Sequence, residues 1–301
     1  MALTRERFAS MLDPYIFQVY EQIVERGDDV IPLLYGVNNS ELHEERVTGV
    51  GATGLMQPWD GQVHYDHADP LWDRTYRHQK FSIGLKVEKD LWDDAQHSEI
   101  KDRVQRVALS VHRTRQIHAH ELFNRAFAGS PAGPMLGPDG LPLCAATHPR
   151  SPSNNTPQGN LGTSMLSSAA IEETRVQMFN WVDDRGKRLL RVPDLLIVPP
   201  NLEMVARELI MSTDKPDTSD RSINARKGAY KIITLPLLED SNNWFLADSQ
   251  QMKLYMKWFE RRKPTPEREE DFDTETLKWK HVARYSYGFH FWAFIFGHNV
   301  P

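Results

Sequence analysis

The chain contains a single cysteine, Cys144, among its 301 residues. One cysteine excludes an intramolecular disulfide and a cysteine-rich zinc site. The sequence also lacks an uncharged apolar stretch long enough to cross a bilayer, and residues 1–7 lack the apolar core of a secretory signal. We therefore expect a protein that is made and retained in a reducing, cytoplasm-like compartment, with no membrane partner.

The charge balance is slightly acidic, because 41 Asp and Glu residues outnumber 36 Lys and Arg residues and give a formal net charge of −5. Tight binding to nucleic acid through the overall field needs many cations to neutralise phosphates, so this balance argues against it. It is compatible with a surface that tolerates nearby DNA without adhering to it. A chain of 301 residues is long enough for one large domain or two modest ones.

Three glycines, Gly49, Gly51 and Gly54, match the string of a dinucleotide-binding motif. Such a site needs a strand before the glycines, a helix after them and an acidic residue about 20 positions further on. Pro58 and Trp59 follow closely and are incompatible with that helix. We interpret the glycines as part of a hairpin segment and predict no nucleotide and no other cofactor.

The twelve histidines invite a metal hypothesis. On a helix, however, the side chains of His118 and His120 point about 200° apart, so they do not chelate one ion from one face. The sequence also has no His-Glu-x-x-His motif. We predict surface or interface histidines and no metal site.

Nucleophilic catalysis is the remaining enzymatic hypothesis. Cys144 and His148 lie four residues apart in one Pro-rich loop, whereas catalytic pairs normally come from distant segments held by a rigid frame. Ser167 and Ser168 are better explained as a helix N-cap than as nucleophiles, and no G-x-S-x-G elbow occurs. We predict no catalytic residue and keep a hydrolase with a His or Cys site as an alternative.

Residues 46–90 predict a long two-stranded β-hairpin. In its second strand, over 79–88, alternation places Phe81, Ile83 and Leu85 on one face, and Trp59 lies in the turn that precedes it. Isolated hairpins are marginal in water, so this one needs a surface to lie on. We expect a copy of the same chain to provide that surface, rather than the chain's own body, and take these four side chains as interface candidates.

A long helix follows. Asp93-Asp94 opens it, and the apolar residues keep a spacing of three and four as far as Phe127. Such a helix measures about 45 Å at 1.5 Å per residue. This rod is unusually long for an enzyme of this size.

The middle of the chain is rich in loops over 129–162. Beyond it, Ser167 or Ser168 is expected to cap a helix that ends at Trp181. A buried strand over 195–198 and a helix over 201–211 complete this part.

Near the end of the chain, the pattern predicts further strands over 230–235, 244–247, 253–259 and 277–296. The charged block over 261–271 is interpreted as a turn or crossover between the last two strands. Arg261 and Arg262 precede Glu269 and Glu270 in this block. In an assembly, these opposite charges could pair across a symmetry axis, which makes them interface candidates as well.

Several short strings carry a resemblance when their order along the chain is considered. They are Phe81-x-x-Gly84-Leu85-x-Val87, Asp93-Asp94 before the long helix, Gly159-Asn160-Leu161, Val198-Pro199-Pro200-x-Leu202-Glu203-x-x-Ala206, Trp244-Phe245-Leu246-Ala247-Asp248 and Phe272-Asp273. The order resembles the major capsid proteins of tailed bacteriophages with the Hong Kong 97-type (HK97-type) fold, and among them the Mu-like major head subunits. Related head subunits often carry an Asp-Trp-Arg-like string at the position of His290-Phe291-Trp292-Ala293.

The resemblance implies an α+β HK97-like capsid fold with five parts. These are an N-terminal arm over 1–45, an extended hairpin over 46–90, a spine helix with part of the peripheral domain over 91–128, an axial domain over 129–252, and return strands of the peripheral domain over 253–301.

The implied function is self-assembly into the pentamers and hexamers of an icosahedral shell that encloses packaged double-stranded DNA. The implied location is the virion capsid, assembled in the host cytoplasm. The expected partners are copies of the chain, a portal protein, scaffolding or decoration proteins, and DNA that contacts the inner face without sequence specificity.

The resemblance implies neither an active site nor a cofactor. Because the helical arm starts almost at Met1, we expect a separate scaffolding protein, or none, and no large maturation cleavage. The non-enzymatic alternative is another phage structural protein, of the decoration or tail type.

Overall fold

The computed structural model describes residues 14, 18, 29–88, 97–133, 135–213, 223–271 and 273–301. The start of the helical arm predicted near Met1 and the predicted helix start at Asp93-Asp94 lie outside these residues. Within the described ranges, the strands form a four-stranded sheet, a five-stranded sheet and two separate strand pairs. No helix of this described part is long and apolar enough to cross a membrane.

The elements are numbered in chain order. The helices are α1 (Ile31–Leu34), α2 (His97–Asn124), α3 (Ser168–Phe179), α4 (Glu203–Met211, preceded by a 3-10 turn at Pro200–Leu202) and α5 (Ser249–Tyr255). The first strands are β1 (Gly36–Asn39), β2 (Glu44–Val50), β3 (Pro70–Arg77), β4 (Gln79–Glu88), β5 (His148–Ser151), β6 (Asn154–Gln158) and β7 (Leu161–Gly162). The later strands are β8 (Leu195–Val198), β9 (Lys231–Thr234), β10 (Trp244–Ala247), β11 (Met256–Asp271), β12 (Thr276–Phe289) and β13 (Ile295–His298).

The four-stranded sheet has the order β1-β11-β12-β4. Its centre is a long antiparallel ribbon of β11 and β12, which pair from Met256 opposite Phe289 to Asp271 opposite Thr276. The register shifts between Glu260 and Arg262 and again between Arg262 and Thr265. The turn or crossover predicted over 261–271 is therefore wrong. The charged residues continue β11 because pairing with β12 satisfies the backbone, while residues 261–263 keep their side chains exposed to solvent.

The five-stranded sheet has the order β7-β13-β10-β8-β9, and its three central strands are buried on both faces. Phe245 and Ile197 point into one hydrophobic cluster, and Leu246 and Leu196 point into the other. Strands covered on both faces appear in the sequence as unbroken apolar runs. The strands predicted over 195–198 and 244–247 are confirmed.

The first hydrophobic cluster joins the two sheets to α2. Phe123 and Phe127 from the end of this helix pack against Phe245, with ring centroids 5.4 and 5.6 Å apart. Ile31, Leu34 and Tyr35 are buried in the same cluster, and the hydroxyl of Tyr35 donates to the carbonyl oxygen of Ala119 over 2.9 Å. This part of the predicted N-terminal arm therefore belongs to the core.

Side-chain caps fix two helix starts. The hydroxyl of Ser167 accepts from the backbone N–H of Ala170 at the start of α3, as predicted. The carboxylate of Asp248 accepts from the backbone N–H of Gln251 and starts α5. The strand predicted over 253–259 is therefore wrong for its first three residues, which are helical.

The strand predicted over 277–296 is two strands that belong to different sheets. β12 ends at Phe289, after Gly288 takes a φ of 153° that an L side chain rarely adopts. The chain then turns through residues 290–294 and enters the five-stranded sheet as β13, beside β10. The single-strand interpretation failed because aromatic residues continue through the turn.

His298 in β13 makes the stability of the fold depend on pH. Its Nδ1 accepts from the backbone N–H of Ser164 over 3.2 Å, so Nε2 carries the proton and donates to the hydroxyl of Thr174 over 2.8 Å. The ring also stacks on Trp244, with centroids 4.0 Å apart. Burial lowers the pKa of His298 to about 4, because a charged ring would be desolvated and would lose the bond from Ser164.

We expect the free energy of unfolding to fall as the pH drops from about 6.5 to about 4. In this window the unfolded chain binds a proton that the folded chain does not. The loss from one such group is about 1.4 kcal/mol per unit of pKa difference. His290, whose pKa burial also lowers to about 4, acts in the same direction. Thermal melting at a series of pH values measures the loss, and His298→Gln should reduce but not remove it. An unchanged pH dependence in this variant would contradict the assignment.

Candidate self-association surfaces

The predicted hairpin is formed by β2 and β3. Glu44 lies opposite Arg77 in the antiparallel register, and their side chains form an ion pair of 3.2 Å. Arg46 pairs with Asp73 on the neighbouring strand, and its hydrogen bond lowers the pKa of the Asp73 carboxyl. Cross-strand pairs of opposite charge stabilise such a ribbon modestly.

The second strand of the hairpin was assigned wrongly. It is β3, over 70–77, whereas residues 79–88 form β4, which pairs with β12 in the four-stranded sheet. The alternation of Phe81, Ile83 and Leu85 correctly indicated a strand. Alternation does not reveal which strand is the partner, because pairing is not local in sequence.

The loop between β2 and β3, residues 51–69, is called the hairpin loop below. It has neither helix nor strand, so Gly49, Gly51 and Gly54 are not followed by the helix that a dinucleotide site requires. Its five large apolar side chains are exposed, and they are Leu55, Met56, Trp59, Val63 and Tyr65. Trp59 is 74% exposed, and Met56 is fully exposed. A cluster of such side chains on a soluble protein marks a surface for association.

The hairpin loop contacts a turn of the same chain, residues Asp183–Lys187, which is called the 183–187 turn below. The Oδ1 of Asp184 accepts from the backbone N–H of Ala52 over 3.0 Å. Arg185 donates to the carboxylate of Asp66 over 2.6 Å and to the carbonyl oxygen of His67. The backbone N–H of Gly54 and the guanidinium of Arg185 lower the pKa of Asp66.

The sequence determines the 183–187 turn locally. The Asp183 carboxylate accepts from the backbone N–H groups of Arg185 and Lys187, over 2.9 and 2.7 Å. Gly186 takes a φ of 79°, which suits glycine. An Asp-Asp-Arg-Gly string therefore predicts a turn. No local signal indicates that the hairpin loop is its partner, and our sequence analysis missed Asp184 and Arg185.

These contacts correct the physical argument made from the sequence. We expected the segment over 46–88 to depend on another copy because its own body offered no support. Instead, β4 lies within the four-stranded sheet, and the hairpin loop touches the 183–187 turn. The apolar surface of this segment that still needs a partner is therefore smaller than we expected. It consists of the exposed apolar side chains of the hairpin loop.

The candidates Phe81, Ile83 and Leu85 lie on the face of β4 that is half-buried. Phe81 stacks on Tyr285, with ring centroids 4.7 Å apart, and packs against His118 at 4.8 Å. It therefore takes part in the packing of its own chain. A role of these three residues in an interface stays a prediction.

The charged candidates lie on the ribbon of β11 and β12. Arg262 pairs with Glu267 within its own strand, whereas Arg261 and Glu269 are exposed. Lys278 pairs with Asp271, and its hydrogen bond lowers the pKa of this half-buried carboxyl to about 2. The side chain of Glu270 lies outside the described residues. The pairing of these four charged candidates with a second copy stays a prediction. Arg262 would have to release Glu267 to take part.

The residues of the hydrolase alternative have structural roles. Cys144 is buried, and burial raises the pKa of its thiol, which disfavours the reactive thiolate. His148 pairs through Nδ1 with Asp139 over 2.6 Å and stacks on Trp292. Among the described residues, no group of three or more His, Cys, Asp and Glu side chains could hold a metal ion.

The two helix histidines diverge as the geometry predicts. The Nδ1 of His118 hydrogen-bonds with the hydroxyl of Tyr285 over 2.7 Å. The Nδ1 of His120 hydrogen-bonds with the carbonyl oxygen of Gln116 on its own helix. Burial lowers the pKa of both rings, so both are predominantly neutral near pH 7 and serve as packing groups.

Comparison with known proteins gives one family match. A family model described as phage capsid protein matches residues 73–296, about three quarters of the chain. A search of curated protein sequences gives no significant match.

Solved structures share the fold. A chain from Microbacterium phage Oxtober96 is 10% identical over the full length of both chains, with a TM-score of 0.52. A chain from the procapsid of bacteriophage JBD30 is 13% identical over 99% of this chain and 76% of its own, with a TM-score of 0.51. A chain from the JBD30 capsid decorated with minor capsid protein trimers is 14% identical over 79% of this chain and 100% of its own, with a TM-score of 0.54. At sequence identities of 10–14%, this structural similarity shows a shared fold and no more.

Proposed function

The chain belongs to the phage capsid protein family, and from this premise we propose that it assembles with copies of itself into the pentamers and hexamers of an icosahedral head. The family match and the shared fold support its role as a major capsid protein of a tailed phage. Its location is the virion capsid. The observation that carries the proposal is the family match over residues 73–296.

The hairpin loop is the first proposed contact between subunits. Its exposed apolar side chains, with Trp59 among them, support this role. Fully burying one large apolar side chain stabilises a contact by roughly 1.5–3 kcal/mol. Closed symmetry repeats the contact in every subunit, so a modest gain per copy is sufficient for a stable shell.

The ribbon of β11 and β12 is the second proposed contact. Its charges are grouped by sign, with Arg261 in an exposed basic group near the middle and Glu269 exposed in an acidic group near the far end. A charged surface of this kind contributes specificity and orientation more than affinity. We propose that Arg261 and Arg262 of one copy meet Glu269 and Glu270 of a neighbour near a symmetry axis.

The division into arm, hairpin, spine helix, axial domain and peripheral domain is also a proposal. The second hydrophobic cluster supports an axial unit around the five-stranded sheet with α3 and α4. The ribbon and α2 support a peripheral unit. One boundary needs adjustment, because β13 over 295–298 pairs within the five-stranded sheet and not with the return strands.

Other partners follow from the role of a head subunit. We propose assembly in the host cytoplasm, a portal protein at one vertex, scaffolding or decoration proteins, and packaged double-stranded DNA against the inner face. The net charge of −5 supports a DNA contact that is weak and independent of sequence.

We expect the purified chain to form ring-sized or shell-sized species. Size-exclusion chromatography with electron microscopy of the expressed protein measures this directly, and closed particles or capsomer rings are the expected result. A small oligomer that never assembles would contradict the proposal, and tubular assemblies would favour a tail protein. Hydrolysis of an ester or peptide substrate that is lost in Cys144→Ala would favour the enzymatic alternative.

A further inference from the structure

A cavity of about 370 Å³ lies beside the β2–β3 pair, where distant parts of the chain meet. Its walls come from the ends of β2 and β3, from β5, from the segment over 182–191 and from the connection over 290–294. Sites for small molecules usually measure roughly 300–1,000 Å³. The cavity is called the arginine cavity below, because Arg150 and Arg191 line it.

Three buried N–H groups on the wall of the arginine cavity have no acceptor within the described residues. They are Nε of Arg150, Nε of Arg191 and Nε1 of Trp292. Arg191 is 6% exposed and Trp292 is 3% exposed, so their donors are removed from bulk water. Folded proteins rarely leave buried donors without an acceptor, because solvent no longer compensates for the missing hydrogen bond. Three donors at one cavity therefore favour a bound acceptor group.

Arg191 is held in place on the cavity wall. Its Nη2 donates to the hydroxyl of Tyr255 over 3.1 Å, and the guanidinium lies 5.4 Å from the ring centroid of Tyr255. Leu190, the residue before it, takes a φ of 51°, which L side chains other than Asn and Asp seldom adopt. Its side chain is 79% exposed, whereas Arg191 is buried. Strained backbone of this kind is found preferentially at ligand sites.

The charges on the cavity wall favour a ligand with a single negative charge. Asp183 and Asp184 also line the cavity, and their carboxylates accept from backbone N–H groups. They offset part of the positive charge of the two guanidinium groups, so a dianion would be repelled more strongly than a monoanion. His290 adds no charge near pH 7, because burial lowers its pKa to about 4. A carboxylate carries one charge, and its two oxygens match the geometry of a guanidinium group.

Much of the remaining wall is apolar, and its large side chains are Val50, Leu71, Trp72, Leu189, Phe291 and Trp292. The side chains of Trp72 and Phe291 are only half-buried, so a flat apolar group in the cavity would cover part of both. A cavity of about 150 Å³ accommodates benzene. The arginine cavity therefore has room for an aromatic ring together with a carboxylate.

We propose that the arginine cavity is a binding site for a small monocarboxylate with a flat apolar body. The carboxylate accepts from Arg150 and Arg191, and the body packs against Trp72 and Phe291. The proposal concerns each subunit by itself, so it holds or fails independently of the assembly function proposed above.

Phenylacetate is a suitable probe, because it combines a carboxylate with one aromatic ring. Isothermal titration calorimetry of free subunits, held at a concentration at which they do not assemble, measures its affinity. We expect saturable binding of one phenylacetate per chain. Phenylacetamide has nearly the same shape without the charge, and acetate has the charge without the ring. Both should bind about tenfold more weakly or worse, because each loses one of the two sets of contacts.

No saturable binding of phenylacetate at millimolar concentrations would overturn the proposal. Equal affinity for phenylacetamide would overturn it as well, because the cavity would then not select a negative charge. Inorganic phosphate that binds at least as tightly as phenylacetate would contradict the preference for a single charge.

Substitutions assign the binding to the cavity. Arg150→Gln and Arg191→Gln should each weaken phenylacetate binding about tenfold or more, because a hydrogen bond to a charged group is lost. Arg188→Gln is the matched control, since it removes the same charge from an exposed side chain of the same segment that does not line the cavity. It should leave the affinity unchanged. Arg150 is only half-buried, so Arg150→Gln tests the proposal even if Arg191→Gln does not fold. Unchanged affinity in Arg150→Gln would overturn the proposal.

A photoreactive probe gives the location without any substitution. 4-Azidophenylacetate is bound to the unmodified chain and irradiated, and the labelled peptides are identified by mass spectrometry. We expect label on peptides that contain residues 71–72, 254–255 or 290–292, and we expect excess phenylacetate to suppress it. Label confined to other peptides, or label that phenylacetate does not suppress, would overturn the proposal.

Discussion

Trp59→Asp is expected to leave a folded, soluble subunit that forms few or no closed shells. The side chain of Trp59 is 74% exposed in the free chain, so a carboxylate there does not disturb the core. At a subunit contact, the same carboxylate would be desolvated without a partner, which costs several kcal/mol. Each 1.4 kcal/mol lowers the association constant about tenfold, and the loss recurs in every subunit. Particle counts in electron micrographs and the sedimentation profile measure the effect.

Two variants separate this effect from a general effect of charge. Met165→Asp places the same charge at an equally exposed apolar side chain outside the hairpin loop, where Met165 is 73% exposed. It is expected to assemble close to normally, as is the conservative variant Trp59→Phe. Phe81→Asp is a poorer probe, because Phe81 stacks on Tyr285 and the change would disturb the fold as well. Normal particle numbers for Trp59→Asp would remove the hairpin loop from the list of contacts.

Phe245→Ala is expected to lower the free energy of unfolding by about 3–5 kcal/mol. The ring of Phe245 is fully buried and packs between Phe123 of α2, Phe127 just beyond the end of this helix, and Gly297. Removing it leaves a cavity where the long helix meets the five-stranded sheet, and close-packed neighbours relax only partly into such a cavity. Chemical denaturation of free subunits, held at a concentration at which they do not assemble, measures the change.

The matched surface change is Val176→Ala on α3. Val176 is 46% exposed, and alanine has a higher helix propensity, so stability should change by no more than about 0.5 kcal/mol. A loss below about 1 kcal/mol for Phe245→Ala would show that the contact with α2 contributes little to the core. The place of Phe245 in the first hydrophobic cluster would then be of little energetic importance.

The parts of the fold that could be predicted are those in which local pattern and burial agree. Leu195–Val198 and Trp244–Ala247 are unbroken apolar runs because both faces of their sheet are covered. Ser167 was recognised as a cap because its hydroxyl satisfies a backbone N–H that the helix leaves free. In these segments, four to six neighbouring residues are sufficient to indicate the local secondary structure.

The errors have two causes, which are a deciding contact outside the local segment and a local signal that was overlooked. The charged block over 261–271 has the local composition of a turn, but β12 pairs with it and makes it a strand. Asp248 with Gln251 three residues later is a helix-start signal, and we overlooked it because the preceding apolar run suggested that strands would continue.

The candidate site was predicted only in part, because the residues that form it lie far apart along the chain. The sequence drew attention to Trp59 because it lies in the turn of a predicted hairpin that needs a surface to lie on. It offered no route to Asp184 and Arg185, which lie more than a hundred positions from the loop that they hold. A turn can be recognised from its own residues, whereas its partner is known only once the chain has folded.

The passage from β12 to β13 has a consequence for how this sequence can vary in length. Residues 290–294 span the gap between the end of the ribbon at Phe289 and the entry into the five-stranded sheet at Ile295. One inserted residue would slide β13 by one position against β10 and turn Ile295 away from its cluster. The length of the connection over 290–294 is therefore fixed by the two sheets that it joins. Insertions, whether inherited or engineered for peptide display, belong in exposed turns such as residues 239–242.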